Sequence, residues 1–168
     1  MSDADGTKVQ TVDEGLVWIF AAVDHCDAVC VGIHVTKVED RFAVLKPISQ
    51  VLREQFESVN ASAGRGLSLR MDCSSQYTSD DFHAQIKFWG ITPSYTFVAA
   101  PQTNSVAERF NRTMTEQAIH GHLFKNVEEV HAAAIAFKDR CNREWHLKKL
   151  GFKSPFEARQ AALLLLAA

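Results

Sequence analysis

Leu67-Ser68-Leu69-Arg70-Met71-Asp72 is the stretch on which the fold turns. Leu67, Leu69 and Met71 alternate with Ser68, Arg70 and Asp72, the period of two of a half-buried strand, and Asp72 falls at its end. Three more strand patterns precede it. Residues 5–12 alternate weakly, with Asp5, Thr7, Val9 and Thr11 sharing one face. After the turn signal Asp13-Glu14-Gly15, residues 16–23 form a continuous apolar run, as in a strand buried on both faces. Val29, Val31, Ile33 and Val35 then alternate with Cys30, Gly32 and His34. Short connections between these three predict an antiparallel meander.

Helical spacing appears on either side of the 67–72 strand. Upstream, Leu45, Ile48, Leu52, Phe56 and Val59 follow it, with Asp40 placed to cap and Pro47 predicting a kinked or late first turn. Residues 61–66 read as loop. Downstream, Phe82, Ile86 and Trp89 line a helix stopped by Gly90. Residues 91–95 form a short fifth strand, which Pro93 assigns to an edge. A helix over 104–119 turns Val106, Phe110 and Met114 inward. Asn126 and Glu129 suit a capping box for the next helix, where Val127, Val130, Ala134, Phe137 and Cys141 recur at intervals of three and four. A last helix spans 155–165. Trp18, Trp89 and Trp145 read as core or interface aromatics. Three strands, helix, strand, helix, strand and then helices make an α/β order in which acids at strand ends and on a later helix can converge.

With 168 residues, 46% hydrophobic and 23% charged, the chain has the balance of one soluble globular domain. Its longest apolar run, 161–168, is far short of a membrane span, and no signal-peptide order opens it, so a cytoplasmic protein is expected. The net charge of −2 argues against a uniformly basic nucleic-acid surface. Lys138, Arg140, Arg143, Lys148, Lys149, Lys153 and Arg159 nevertheless concentrate positive charge near the C-terminus. Cys26 and Cys30, with His25 and His34 nearby, lack a second ligand pair at zinc-finger spacing; the four cysteines read as reduced thiols.

Chemistry at a phosphodiester needs little covalent help and much electrostatic stabilisation, which converging carboxylates supply by holding divalent ions. Asp72, at a strand end, is one candidate; its other reading is a turn-starting aspartate. Glu108 is a second. Asn104, Glu108 and Arg112 are spaced by four and share a helix face, while Phe110 lies on the other side. Glu108 can thus face an open site while Phe110 anchors the helix. Its other reading is a solvated surface glutamate.

The segments that carry these acids resemble the integrase-core (DDE) transposases of bacterial insertion sequences, related in fold to retroviral integrases. Leu69-Arg70-Met71-Asp72-Cys73-Ser74-Ser75-Gln76-Tyr77-Thr78-Ser79 is similar to the family's second-aspartate motif, and Asn104-Ser105-Val106-Ala107-Glu108-Arg109-Phe110 to its glutamate motif. The 35 residues between Asp72 and Glu108 are the family's characteristic gap. Asp5-Gly6-Thr7 resembles the family's first-aspartate motif, with Asp24 a rival that the family carries in a structural role. Residues 137–145 and 153–159 resemble the closing segment.

The resemblance implies an RNase H-like α/β fold, a five-stranded mixed sheet flanked by helices. It also implies metal-dependent DNA cleavage and strand transfer, with Asp5, Asp72 and Glu108 as catalytic residues and ligands of Mg²⁺ or Mn²⁺. Gln76, Tyr77, Asn104, Arg109 and Arg112 are candidate DNA contacts. DNA, as transposon ends and target, and further copies of the chain are the implied partners, in a bacterial cytoplasm. Ser74, Ser105 and Thr115 depart from the family's glycine, glycine or alanine, and lysine. The tryptophan that usually precedes the first aspartate is missing, as is an upstream helix-turn-helix. Residues 1–168 are therefore expected to form a single catalytic core without its targeting domain. Two other readings stay open: a catalytically silent remnant that binds DNA or a protein partner, and an RNase H-like nuclease without strand transfer.

Overall fold

A computed structural model describes residues 2–71, 75, 77–95 and 105–167; at positions 2, 3, 5, 105, 166 and 167 it describes the backbone alone. Strands β1 (Ser2–Thr11), β2 (Gly15–Asp24) and β3 (Cys30–Thr36) form the predicted antiparallel meander. β4 (Ser68–Met71) then pairs parallel with β1, and β5 (Thr92–Tyr95) parallel with β4, giving the order β3-β2-β1-β4-β5. This is the expected five-stranded mixed sheet, with Pro93 on an edge strand where its missing N–H costs no ladder bond. β1 is longer than its weak alternation predicted because it pairs with β2 from Ser2↔Asp24 to Thr11↔Gly15.

The two faces of the sheet hold separate cores. On one, Val9, Val17, Ile19, Ile33 and Val35 pack against α3 (Ser105–Met114) and α4 (Val127–Glu144). On the other, Ala4, Phe20, Leu69 and Met71 pack against α1 (Leu45–Phe56) and α2 (Asp80–Phe88). α5 (Pro155–Ala167) closes the chain. There Arg159 reaches back to Asp27, donating from Nε at 2.6 Å and from a terminal nitrogen at 3.1 Å. Asp24 ends β2 beside the same turn, where its carboxylate accepts the Cys26 N–H at 2.8 Å.

Local chemistry explains where the helices start. α1 starts late, as Pro47 foretold: Asp40 caps the preceding turn through the N–H groups of Phe42 and Ala43, and Pro47 occupies the helix's first turn, where no backbone donor is needed. The helix ends at Phe56, with Glu57 left-handed, so Val59 lies beyond it. α1 also comes so close to β3 that a Cβ at Gly32 would stand 2.3 Å from the Pro47 carbonyl oxygen, which explains the glycine. At the start of α4, Asn126 accepts the Glu129 N–H, Glu129 in return accepts that of Lys125, and Glu14 accepts that of Val127. The Lys37 ammonium first, and then this Val127 bond, hold the Glu14 carboxyl below the usual carboxylate range.

Candidate active site

α3 belongs to the sheet through a stripe at core spacing: Ala107, Phe110 and Met114 are buried against β1 and β2. Glu108 lies off that stripe and is exposed, while Phe110 anchors the helix against Phe137, as the spacing predicted. Asn111, one turn on from Glu108, is buried at 5% exposure. After Met114 the chain widens into a π-helix, Thr115–Ile119, a departure from the continuous α-helix expected over 104–119. Such turns occur often at functional sites.

Between this helix and β1 runs a polar cleft of about 340 Å³. Its lining includes Gly6, Thr7, Glu108, Asn111, Arg112 and Thr115. Glu108 and Arg112 thus stand on one wall and the residues following Asp5 on the other. Asp5 itself has its backbone in β1, opposite Ala21 of β2. Its side chain lies outside the described residues, as do Asp72, Gln76 and Asn104 entirely. Among the described residues no three acidic, histidine or cysteine side chains gather to hold a metal ion. Cys30 is no ligand candidate: burial pushes its thiol up to about 12, and its Sγ lies 3.5 Å from the Gly32 carbonyl oxygen.

The other sequence candidates separate. Arg109 is exposed at an apolar groove of about 380 Å³ on the opposite flank of α3, with Val106, Phe110, Cys141 and Trp145. Tyr77 is a correction. At 4% exposure it is a core residue, its ring edge-on to Phe82 and its carbonyl accepting the Tyr95 hydroxyl at 3.0 Å, so it has almost no surface to offer DNA. Sequence reasoning missed Asn111 altogether. The signal was a polar residue at the spacing of a core stripe, four after Ala107 and three before Met114.

Residues 89–160 match the model of the integrase core domain family. The chain is 28% identical over 158 residues to the transposase for insertion sequence element IS629 of Shigella sonnei, spanning 94% of this chain and 51% of that protein. It is 34% identical over 86 residues to the retrovirus-related Pol polyprotein of transposon TNT 1-94 of Nicotiana tabacum, spanning 51% of this chain and 6% of that protein. Its fold matches the crystal structure of the catalytic core domain of BIV integrase with a TM-score of 0.70 at 21% identity, covering 99% of this chain and 97% of that one. An intasome of simian T-cell lymphotropic virus matches at 0.67 and 13% identity, covering 94% of this chain and 52% of that one. The chain therefore spans about half the length of the insertion-sequence transposase it matches. Residues 89–160 are thus similar to the integrase core domain family, and the fold of the whole chain is that of an integrase catalytic core.

Proposed function

We propose that residues 1–168 form the single catalytic core of a DDE transposase, which cuts DNA phosphodiester bonds at transposon ends and joins the freed 3′ end to target DNA. Asp5, Asp72 and Glu108 are the acids of this reading and would hold Mg²⁺ or Mn²⁺. The observation that carries it is the place of Glu108, on one wall of a polar cleft whose other wall is Gly6 and Thr7, directly after Asp5. A second support is the register of the sheet. The parallel pairs Ser2↔Leu69 and Asp3↔Arg70 differ by 67 in residue number, and so do Asp5 and Asp72.

The residues fit a hard cation. Glu108 offers carboxylate oxygens that pair with no described cation, and Asn111 beside it leaves both polar side-chain atoms unused. Divalent ions so held supply activation of the attacking oxygen and stabilisation of the leaving one. The chain's own part is placement. α3, pinned by Ala107, Phe110 and Met114, fixes where Glu108 stands relative to β1. Arg112 brings a guanidinium to the same cleft and Arg109 one to the far flank of the helix, both free to meet phosphate. No side chain serves as covalent nucleophile. The partners are DNA and further copies of the chain, and the setting is a bacterial cytoplasm. Among the described residues no helix is long and apolar enough to cross a membrane.

Nicking of supercoiled plasmid in Mn²⁺, followed by joining of a pre-cut oligonucleotide to a target duplex, tests the reading. The wild-type chain is expected to do both, and Asp72→Asn and Glu108→Gln to fall to background. Nicking without joining would leave a nuclease. DNA binding with no cleavage under any divalent ion would leave a silent domain.

A further inference from the structure

Tyr95 ends β5 and holds the chain in two places. Its backbone is paired in register with Met71, the last residue of β4. Its side-chain hydroxyl donates to the Tyr77 carbonyl at 3.0 Å. Met71 and Tyr77 bound residues 72–76, so a single residue of the sheet edge fixes both flanks of the span that carries Asp72. The hydroxyl is itself held, because His83 Nε2 on α2 lies 2.5 Å from the Tyr95 oxygen. Tyr95 has one hydroxyl proton and gives it to Tyr77, so the imidazole is the donor in this second bond and carries a proton on Nε2. α2 is a firm mount for that ring: Ser79 accepts the Phe82 N–H at the helix start, and Phe82 and Ile86 are buried in the core. Phenylalanine at position 95 would keep the same ring in the same place. What the hydroxyl adds is hydrogen bonding.

We infer that Tyr95 is a positioning residue for Asp72, and that His83 aims its hydroxyl. A residue that follows a strand end is set by pairing on one side alone. Anchoring the chain again at Tyr77 closes residues 72–76 into a short span fixed at both flanks, which lowers the ordering cost that would otherwise fall on metal binding. Tyr95 needs no contact with the cation to do this, since it acts through the backbone on either side of the ligand. Hydrogen bonds that orient metal ligands from outside commonly contribute 10- to 100-fold to metal affinity. The inference rests on the reading of Asp72 as a metal ligand, and its test separates the two.

Mn²⁺ affinity, by titration calorimetry well below melting, and the melting temperature of the metal-free protein are measured for the wild type, Tyr95→Phe, His83→Gln, His83→Leu and Asp72→Asn. Tyr95→Phe is expected to bind Mn²⁺ roughly 10-fold more weakly while melting within about 6 °C of the wild type. His83→Leu weakens binding in the same direction, and His83→Gln, whose amide donates from nearly the same place as Nε2, restores it. Ring ¹⁵N shifts of the metal-free wild type are expected to show His83 protonated on Nε2; a bare Nε2 overturns the role given to His83. A merely structural hydroxyl would lower the melting temperature and leave the Mn²⁺ affinity of folded Tyr95→Phe at the wild-type value while Asp72→Asn loses it, and that result overturns the inference. If Asp72→Asn binds Mn²⁺ like the wild type, the ligand reading itself falls, and the inference with it.

Discussion

Two asparagines are buried on adjacent helices against the same face of the sheet, and they are used in opposite ways. Asn142, on α4 at 2% exposure, is saturated: its Oδ1 accepts the Cys30 N–H at 2.8 Å and its Nδ2 donates to the Cys30 carbonyl at 3.0 Å. Both bonds fall where the β2–β3 ladder shifts register between Ala22 and Val23, so the side chain replaces backbone pairing that the irregularity disrupts. Asn111, on α3, has neither bond. One amide completes the sheet at the end where β3 begins; the other lines the cleft with both its polar atoms unpaired. The difference teaches that burial of a polar group does not by itself reveal its role. What decides is whether the folded chain already satisfies it.

Substitution should expose the contrast. The largest effect is expected from Asn142→Leu, which strands the Cys30 N–H and carbonyl together and removes two hydrogen bonds. A loss of about 3–5 kcal/mol follows, read as a drop of roughly 6–15 °C in melting temperature. A drop no larger than that of a surface substitution would break the comparison. Asn111→Leu is expected to leave the metal-free melting temperature within about 3 °C of the wild type, because removing an unpaired amide offsets the cost of fitting a larger apolar side chain. The smallest effect concerns charge rather than hydrogen bonding. Burial first, then the nearby Lys46 and His131, hold the His34 imidazole below its ordinary range, with Asp40 opposing. Above the ordinary value both folded and unfolded chains carry it neutral. As pH falls, the unfolded chain takes the proton first, so stability is lost towards acid. Melting curves from about pH 7 to about pH 5 should therefore fall more steeply for the wild type than for His34→Gln. Parallel curves would contradict this assignment of the imidazole.

The sequence made the architecture legible wherever one local rule acted alone. A continuous apolar run located β2, alternation located β3 and β4, Pro93 placed β5 on an edge, Pro47 delayed α1, and the Asn126–Glu129 pair marked the start of α4. Spacing on α3 foresaw Glu108 exposed and Phe110 buried. What stayed hidden depended on distant partners. The full length of β1 is set by β2 across the hairpin. Asn142 differs from Asn111 because a backbone 112 residues away meets one and not the other. Tyr77 lies in a motif that suggested contact with DNA, and only its packing on Phe82 shows a core residue. The widening of the chain into a π-helix at Thr115 has no signature in the spacing of its apolar residues.

Whether acids remote in sequence meet at one cation is most directly tested by titrating Mn²⁺ into isotope-labelled protein and following paramagnetic broadening of its amide signals. Broadening should appear first at Gly6, Thr7, Glu108 and Asn111 and around position 72, and Glu108→Gln should abolish it at low Mn²⁺. Broadening centred elsewhere, on the Cys26–His34 segment for example, or uniform weak broadening unchanged in Glu108→Gln, would contradict the account.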